Sequence, residues 1–165
     1  MSAPKLVFGS RPALSSTIPA LLFGPEAEAM DQALLQKISE RARLIFEQSG
    51  STPGNDEANW LQAESEILRP GLGVRESGTW MSLNAWIPNT SGQDMEIAVT
   101  PMRVIVRANE TEEQNSCEPG EQDGRIFFAA NLPVEVDPFS AAASFRRHNL
   151  YLMIRMHRLD NLTRK

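Results

Sequence analysis

The side chains best equipped for chemistry in this sequence are one cysteine, Cys117, and two histidines, His148 and His157. A reactive thiolate needs cationic support. Cys117 instead sits among Glu112, Glu113, Glu118 and Glu121, which disfavour the charged sulfur. A single cysteine also excludes an intramolecular disulfide. A structural zinc site needs four Cys or His ligands at set spacing, and three scattered candidates do not supply it. His148 falls in an Arg147-His148-Asn149 turn, where a backbone role outweighs a catalytic one. Glu110, Glu112 and Glu113 read as a solvated loop rather than a paired-carboxylate site. The sequence has no glycine-rich phosphate loop, no Gly-x-Ser-x-Gly elbow and no His-Glu-x-x-His motif. These residues point to binding rather than catalysis, so the chain reads as non-enzymatic, with no cofactor and no metal expected. Trp80 and Trp86 share one face of a strand. They suit a ligand-stacking platform of the kind found in sugar-binding sandwiches, although packing against the core or a partner is the commoner use of such pairs.

The elements that position these residues follow from composition and period. The chain has 165 residues, 41% hydrophobic and 22% charged, which describes a globular protein. Its net charge of −5 argues against nucleic acid or an anionic membrane as the main partner. The charge is uneven: nine acids and four bases from Glu26 to Pro70, then six bases and one acid from Arg146 to the end. Apolar runs are too short for a transmembrane helix, and the N-terminal apolar letters are broken by Pro12, Pro19 and Ser15-Ser16-Thr17. A cytoplasmic location is the expectation.

Residues 1–24 read as a flexible N-terminal arm whose Leu21, Leu22 and Phe23 could meet a partner. Residues 25–70 read as a helical hairpin. The first helix opens at Gly24-Pro25, carries Leu34, Ile38, Ala42 and Ile45 as one stripe, and stops at Gly50. The second starts at Asn55 or Asp56, with Trp60 expected against Ile38, Ile45 and Phe46, and ends at Pro70-Gly71. So small a hairpin needs to pack on the following domain or on a second copy of the chain. Beyond Gly73 the period changes to two. Strands are expected at 80–87, 95–99, 104–106, 126–130, 141–145 and 150–156, with an acidic loop from Asn109 to Gly124. Residues 74–157 therefore read as an all-β domain, and 158–165 as a basic tail. The fold class is mainly β, an immunoglobulin-like antiparallel β-sandwich behind an N-terminal helical hairpin.

Within the β half, Leu132-Pro133, Val136-Asp137, Ala143 and Leu150 recur in the order and spacing of a known pattern, followed by the alternating Leu152 and Ile154. Upstream, Ala85-Trp86-Ile87-Pro88, Asp94-Met95-Glu96-Ile97 and Met102 through Val106 fall in the same order. Over about Thr79 to Met156 the chain resembles the α-crystallin domain of small heat shock proteins. His148 and Asn149 stand where the family has Gly and Val, and both types tolerate a left-handed backbone better than most. The acidic loop lacks the apolar strand that many members exchange between subunits, and the tail has no Ile-x-Ile or Val-x-Ile motif. Residues Ile38, Arg41-Ala42, Phe46, Gly50, Gly54, Asp56, Trp60-Leu61 and Ala63-Glu64 resemble a short bacterial domain of unknown function.

The first resemblance implies an ATP-independent holdase chaperone of the bacterial stress response. Its client-binding groove would run between Met95, Ile97 and Val99 on one side and Ala141, Ala143 and Phe145 on the other. Clients would be unfolded or partly folded proteins, or the chain's own arm would dock there. The alternative is an adaptor that uses the same sandwich to hold one specific protein partner. A homodimer is an open oligomeric state, and neither nucleic acid nor membrane is an expected partner.

Overall fold

The computed structural model describes residues 18–88, 90–109 and 125–157. In chain order the elements are β1 (Ala20–Leu22), α1 (Gly24–Gln48), α2 (Asp56–Ile67), β2 (Gly73–Ser77), β3 (Trp80–Trp86), β4 (Met95–Val99), β5 (Arg103–Asn109), β6 (Arg125–Asn131), β7 (Val136–Arg146) and β8 (Asn149–Met156). The strands form two four-stranded sheets, ordered β1-β4-β5-β6 and β2-β3-β8-β7. All pairings are antiparallel except β1 with β4, which is parallel.

Helix α1 begins where the sequence places it. Gly24 adopts a positive φ of 56°, Pro25 occupies the first turn, and Glu26 faces the positive end of the helix dipole. Ala27, Met30, Leu34, Ile38 and Ile45 are the buried side chains, spaced to fall on one stripe. The helix ends as the Ser51 N–H donates to the Phe46 carbonyl at 2.9 Å, with Gly50 at φ 90°. In α2, Asn59 and Ala63 are buried one turn apart, and Trp60 and Ile67 are half-buried. Arg41 ties the two helices through an ion pair with Glu66. The Arg41 hydrogen bond, with a second from Gln62, holds the Glu66 carboxyl below its ordinary range. Its small contribution is therefore present above the usual carboxylate pKa and is lost as pH falls through the lowered value.

Two hydrophobic clusters organise the molecule. One lies between the sheets, built from Met81, Leu83, Met95, Ile97, Val99, Val104, Val106, Phe128, Leu150, Leu152 and Ile154 among others. The second lies between the hairpin and the first sheet. There Leu34, Ile38, Ile45 and Ala63 meet Ala98, Ile105 and Phe127, with Trp60 against them. This is why Val104-Ile105-Val106 is apolar without alternation: Val104 and Val106 face the second sheet, while Ile105 faces the helices. The hairpin thus packs on the following domain of the same chain. Arg103 Nη1 lies 3.1 Å from Asp31 Oδ1 across this contact, and the Arg69 N–H donates to the Phe127 carbonyl at 2.7 Å.

Three differences from the sequence reading have physical causes. Residues 20–22, expected in the arm, form a strand because the edge of β4 offers them backbone partners. Residues 73–77 form β2 although all five are exposed, so no hydrophobic alternation marks them. Strand β7 begins at Val136 rather than near Ala141, with a register shift between Asp137 and Ala142 that accommodates Pro138. Residues 1–17 of the expected arm, most of the acidic loop and the basic tail lie outside the described residues.

The β7–β8 turn carries backbone strain. Arg147 and His148 have φ of 50° and 68°, both left-handed, as a two-residue hairpin with the primed turn twist requires. Arginine tolerates this poorly. Replacing the pair by Asn-Gly is expected to stabilise the protein by about 1 kcal/mol. Urea denaturation checks this, and an unchanged or lower midpoint would contradict it.

Candidate functional site: the β4 edge and its resident strand

Strand β4 is a seam between both cores. Met95, Ile97 and Val99 point between the sheets, Ala98 points to the helices, and Glu96 forms an ion pair with Arg107 on β5. One edge of β4 pairs with β5. The other edge accepts β1, in register Ala20 with Glu96, Leu21 with Ile97 and Leu22 with Ala98. This register carries the side chains to their neighbours' sides of the sheet. Leu21 packs against the inter-sheet cluster and Leu22 against the helical one.

Phe23 follows, also packed against the inter-sheet cluster, and its ring lies 5.2 Å from that of Phe139 at 32°. Phe139 belongs to the irregular stretch of β7, the edge strand of the other sheet. Its N–H donates to Asp137 Oδ1 at 3.1 Å. Ser140 Oγ donates to the Asp137 carbonyl and accepts the Arg155 N–H. These side-chain bonds take the place of regular ladder bonds and hold Phe139 outward, 74% exposed. Leu21 and Phe23 therefore bridge the two sheets along the side where the edges of β4 and β7 lie.

The proposed groove residues come together, but inside the molecule. Ile97 is 0% exposed, and Met95, Val99 and Phe145 are buried with it. Ala141 and Ala143 are half-buried against the same cluster. These side chains belong to the inter-sheet core, with Leu21 and Phe23 packed against the same cluster. An Ile97→Asp change is thus expected to unfold the domain rather than to report client binding. Sequence reasoning missed Phe139, although a proline inside a β run at Asp137-Pro138 is a signal for a bulge.

Residues 34–69 match a family described as protein of unknown function (DUF2934). The match spans α1 from Leu34 onward, the turn and all of α2. A search of curated proteins finds no match. Among solved structures, the chain is similar over its C-terminal half to small heat shock protein domains. HSP18.5 from E. histolytica is 19% identical, with 53% of this chain and 86% of that chain covered and a TM-score of 0.43. A small heat-shock protein from Xylella fastidiosa is 16% identical, with 56% and 89% covered and a TM-score of 0.46. The rat alpha crystallin domain is 18% identical, with 55% and 93% covered and a TM-score of 0.39. The sandwich itself is defined by its own strand order and register.

The remaining sequence candidates do not converge on the seam. His148 is exposed in the β7–β8 turn and His157 is exposed after β8. Cys117, Glu110, Glu112 and Glu113 lie outside the described residues. Among the described residues, no three His, Cys, Asp or Glu side chains are grouped to hold a metal ion. No helix among them is long and apolar enough to cross a membrane.

Proposed function

We propose that this protein is an ATP-independent, holdase-type chaperone of the cytoplasm whose binding strip is the β4 edge, with β1 as its resident occupant. The observation that carries the reading is the parallel pairing of Ala20–Leu22 with β4. A strip that accepts a three-residue apolar strand from its own chain offers backbone hydrogen bonds to any extended segment, and a seat for one large apolar side chain at the Leu21 position. Partly unfolded proteins expose such segments. Association would need no covalent step and no cofactor. The resemblance of residues 79–156 to the small heat shock proteins supports the same reading.

The anchoring of the occupant favours a second reading. Strand β1 is joined to α1 through Phe23 alone, and the hairpin is packed on the back of the same sheet. Displacing β1 therefore disturbs the start of α1, and only a tight-binding segment would do so readily. On this reading the protein is an adaptor for one partner. Heating an aggregation-prone client without nucleotide, with an inert acidic protein as control, separates the two. Suppressed light scattering near equimolar amounts is the result expected of the holdase. No suppression at several-fold excess of folded protein leaves the adaptor.

A further inference from the structure

Among the described residues, neither hydrophobic cluster lies on the outer face of the second sheet, and its side chains form an ordered pattern. Alternation along β3 and β8 sends Met81, Leu83, Ala85, Leu150, Leu152 and Ile154 inward. It sends Trp80, Ser82, Asn84 and Trp86 outward from β3, and Asn149, Tyr151, Met153 and Arg155 outward from β8. The cross-strand register sets Trp86 opposite Asn149, Asn84 opposite Tyr151, Ser82 opposite Met153 and Trp80 opposite Arg155. Trp86 and Tyr151 are therefore diagonal neighbours, as are Met153 and Trp80, within reach of one another across the two central strands. The result is an apolar ribbon running the length of the sheet. Trp86 is 63% exposed and Tyr151 is 53% exposed, so both rings offer surface to solvent. The Arg155 guanidinium lies 5.2 Å over the Trp80 ring.

Arginines flank the ribbon. Arg75 on β2 pairs with Ser82, Arg146 on β7 pairs with Asn149, and Arg155 lies at the far end. A shallow depression lined by Arg75, Ser82, Asn84 and Tyr151 opens where Gly73 has no side chain. A Cβ at Gly73 would meet Asn84 Oδ1 at 3.1 Å. The acid on the same face is Asp137, opposite Arg155, and its Oδ1 already accepts the Phe139 N–H.

The hairpin from Gly24 to Ile67 holds nine acids against three bases, and it covers the outer face of the other sheet. That places it two layers away, on the order of 20 Å, beyond the ~8 Å Debye length at physiological salt. Among the described residues, the charged side chains set on this face by the register are Arg75, Arg146 and Arg155, with Asp137 opposite Arg155.

Exposed aromatic rings in a track flanked by arginine are the chemistry that takes stacked bases and their phosphates. We propose that the outer face of β2-β3-β8-β7 binds single-stranded nucleic acid, with bases stacking on Trp86 and Tyr151 and phosphates meeting Arg75 and Arg146. This surface is separate from the β4 edge, and its test does not depend on chaperone activity. The probe is a fluorescein-labelled 12-mer oligodeoxythymidine, followed by anisotropy with the full chain. The expected Kd is on the order of 10⁻⁵ M at low salt. A Trp86→Ala/Tyr151→Ala double variant should weaken binding about tenfold or more while melting like the parent. With two phosphates neutralised, log K should fall with log salt at a slope of about −1.4, and Arg75→Ala/Arg146→Ala should flatten it. No binding at ten times the expected Kd would overturn the proposal. So would polyglutamate binding equally well and indifferent to the aromatic double variant, which would assign the face to acidic polypeptides. A double variant that changes only the mass in light scattering would assign it to a second copy of the chain, and would also overturn it.

Discussion

Ile105→Asp is expected to leave the protein largely unfolded, at a cost of about 4 kcal/mol or more. A small globular protein has only about 5–15 kcal/mol to lose. In a two-layer sandwich, Ile105 would face solvent, since its neighbours Val104 and Val106 face inward, and an aspartate there would be tolerated. Here Ile105 is fully buried against Leu34, Ile38 and Ala63 of the hairpin. Urea denaturation checks the effect, with Ser144→Asp on the open face of the other sheet as a control expected to change stability by less than about 0.5 kcal/mol. A mild effect at Ile105 would mean that the helices do not cover this sheet. The same contact predicts that residues 72–165 alone will aggregate, because Ala98, Ile105 and Phe127 lose their cover.

Leu21→Asp is expected to raise client capture on the order of tenfold while the protein stays folded. The half-buried leucine contributes about 1–2 kcal/mol to seating β1. Placing a charge against the inter-sheet core removes that contribution and increases the fraction of molecules with a vacant β4 edge. Apparent client affinity rises with the competent fraction. The measurement is the amount of protein that halves light scattering from a heated client. Equal potency of variant and parent would mean that β1 does not compete with clients. A loss of potency in a folded variant would mean that β1 itself presents the client surface.

Most of the elements were legible because their burial is one-sided. The stripe of α1 and the alternation along β3 and β8 each face one core, so their period survives in the sequence. Capping at Gly24-Pro25 and at Gly50 placed the ends of α1 closely. Strand β5 was legible as a strand, but its unbroken Val104-Ile105-Val106 has a second meaning, a sheet covered on both faces. That meaning settles whether the hairpin packs on its own domain. Strand β1 was not legible as a strand. Three residues between Pro19 and Phe23 carry no period, and what makes them a strand is the vacant edge of β4, which is far away in sequence. The site was legible in part. Met95, Ile97, Val99, Ala143 and Phe145 were grouped together from the sequence, but alternation alone could not tell the floor of a groove from the middle of a core. The outward direction of Trp86 was hidden for the same reason, since period two divides a strand into two faces without saying which is wet.

Amide hydrogen exchange of the full chain, with and without a heat-unfolded client, tests the seam directly. If an extended client segment replaces β1, the amides of Leu21 and Leu22 should lose protection when client is added. Those on the β4 edge should remain protected by the new strand, and those of β3 and β8 should not change. Client held in solution with no change in exchange at residues 20–22 would contradict the account and place the client surface elsewhere on the molecule.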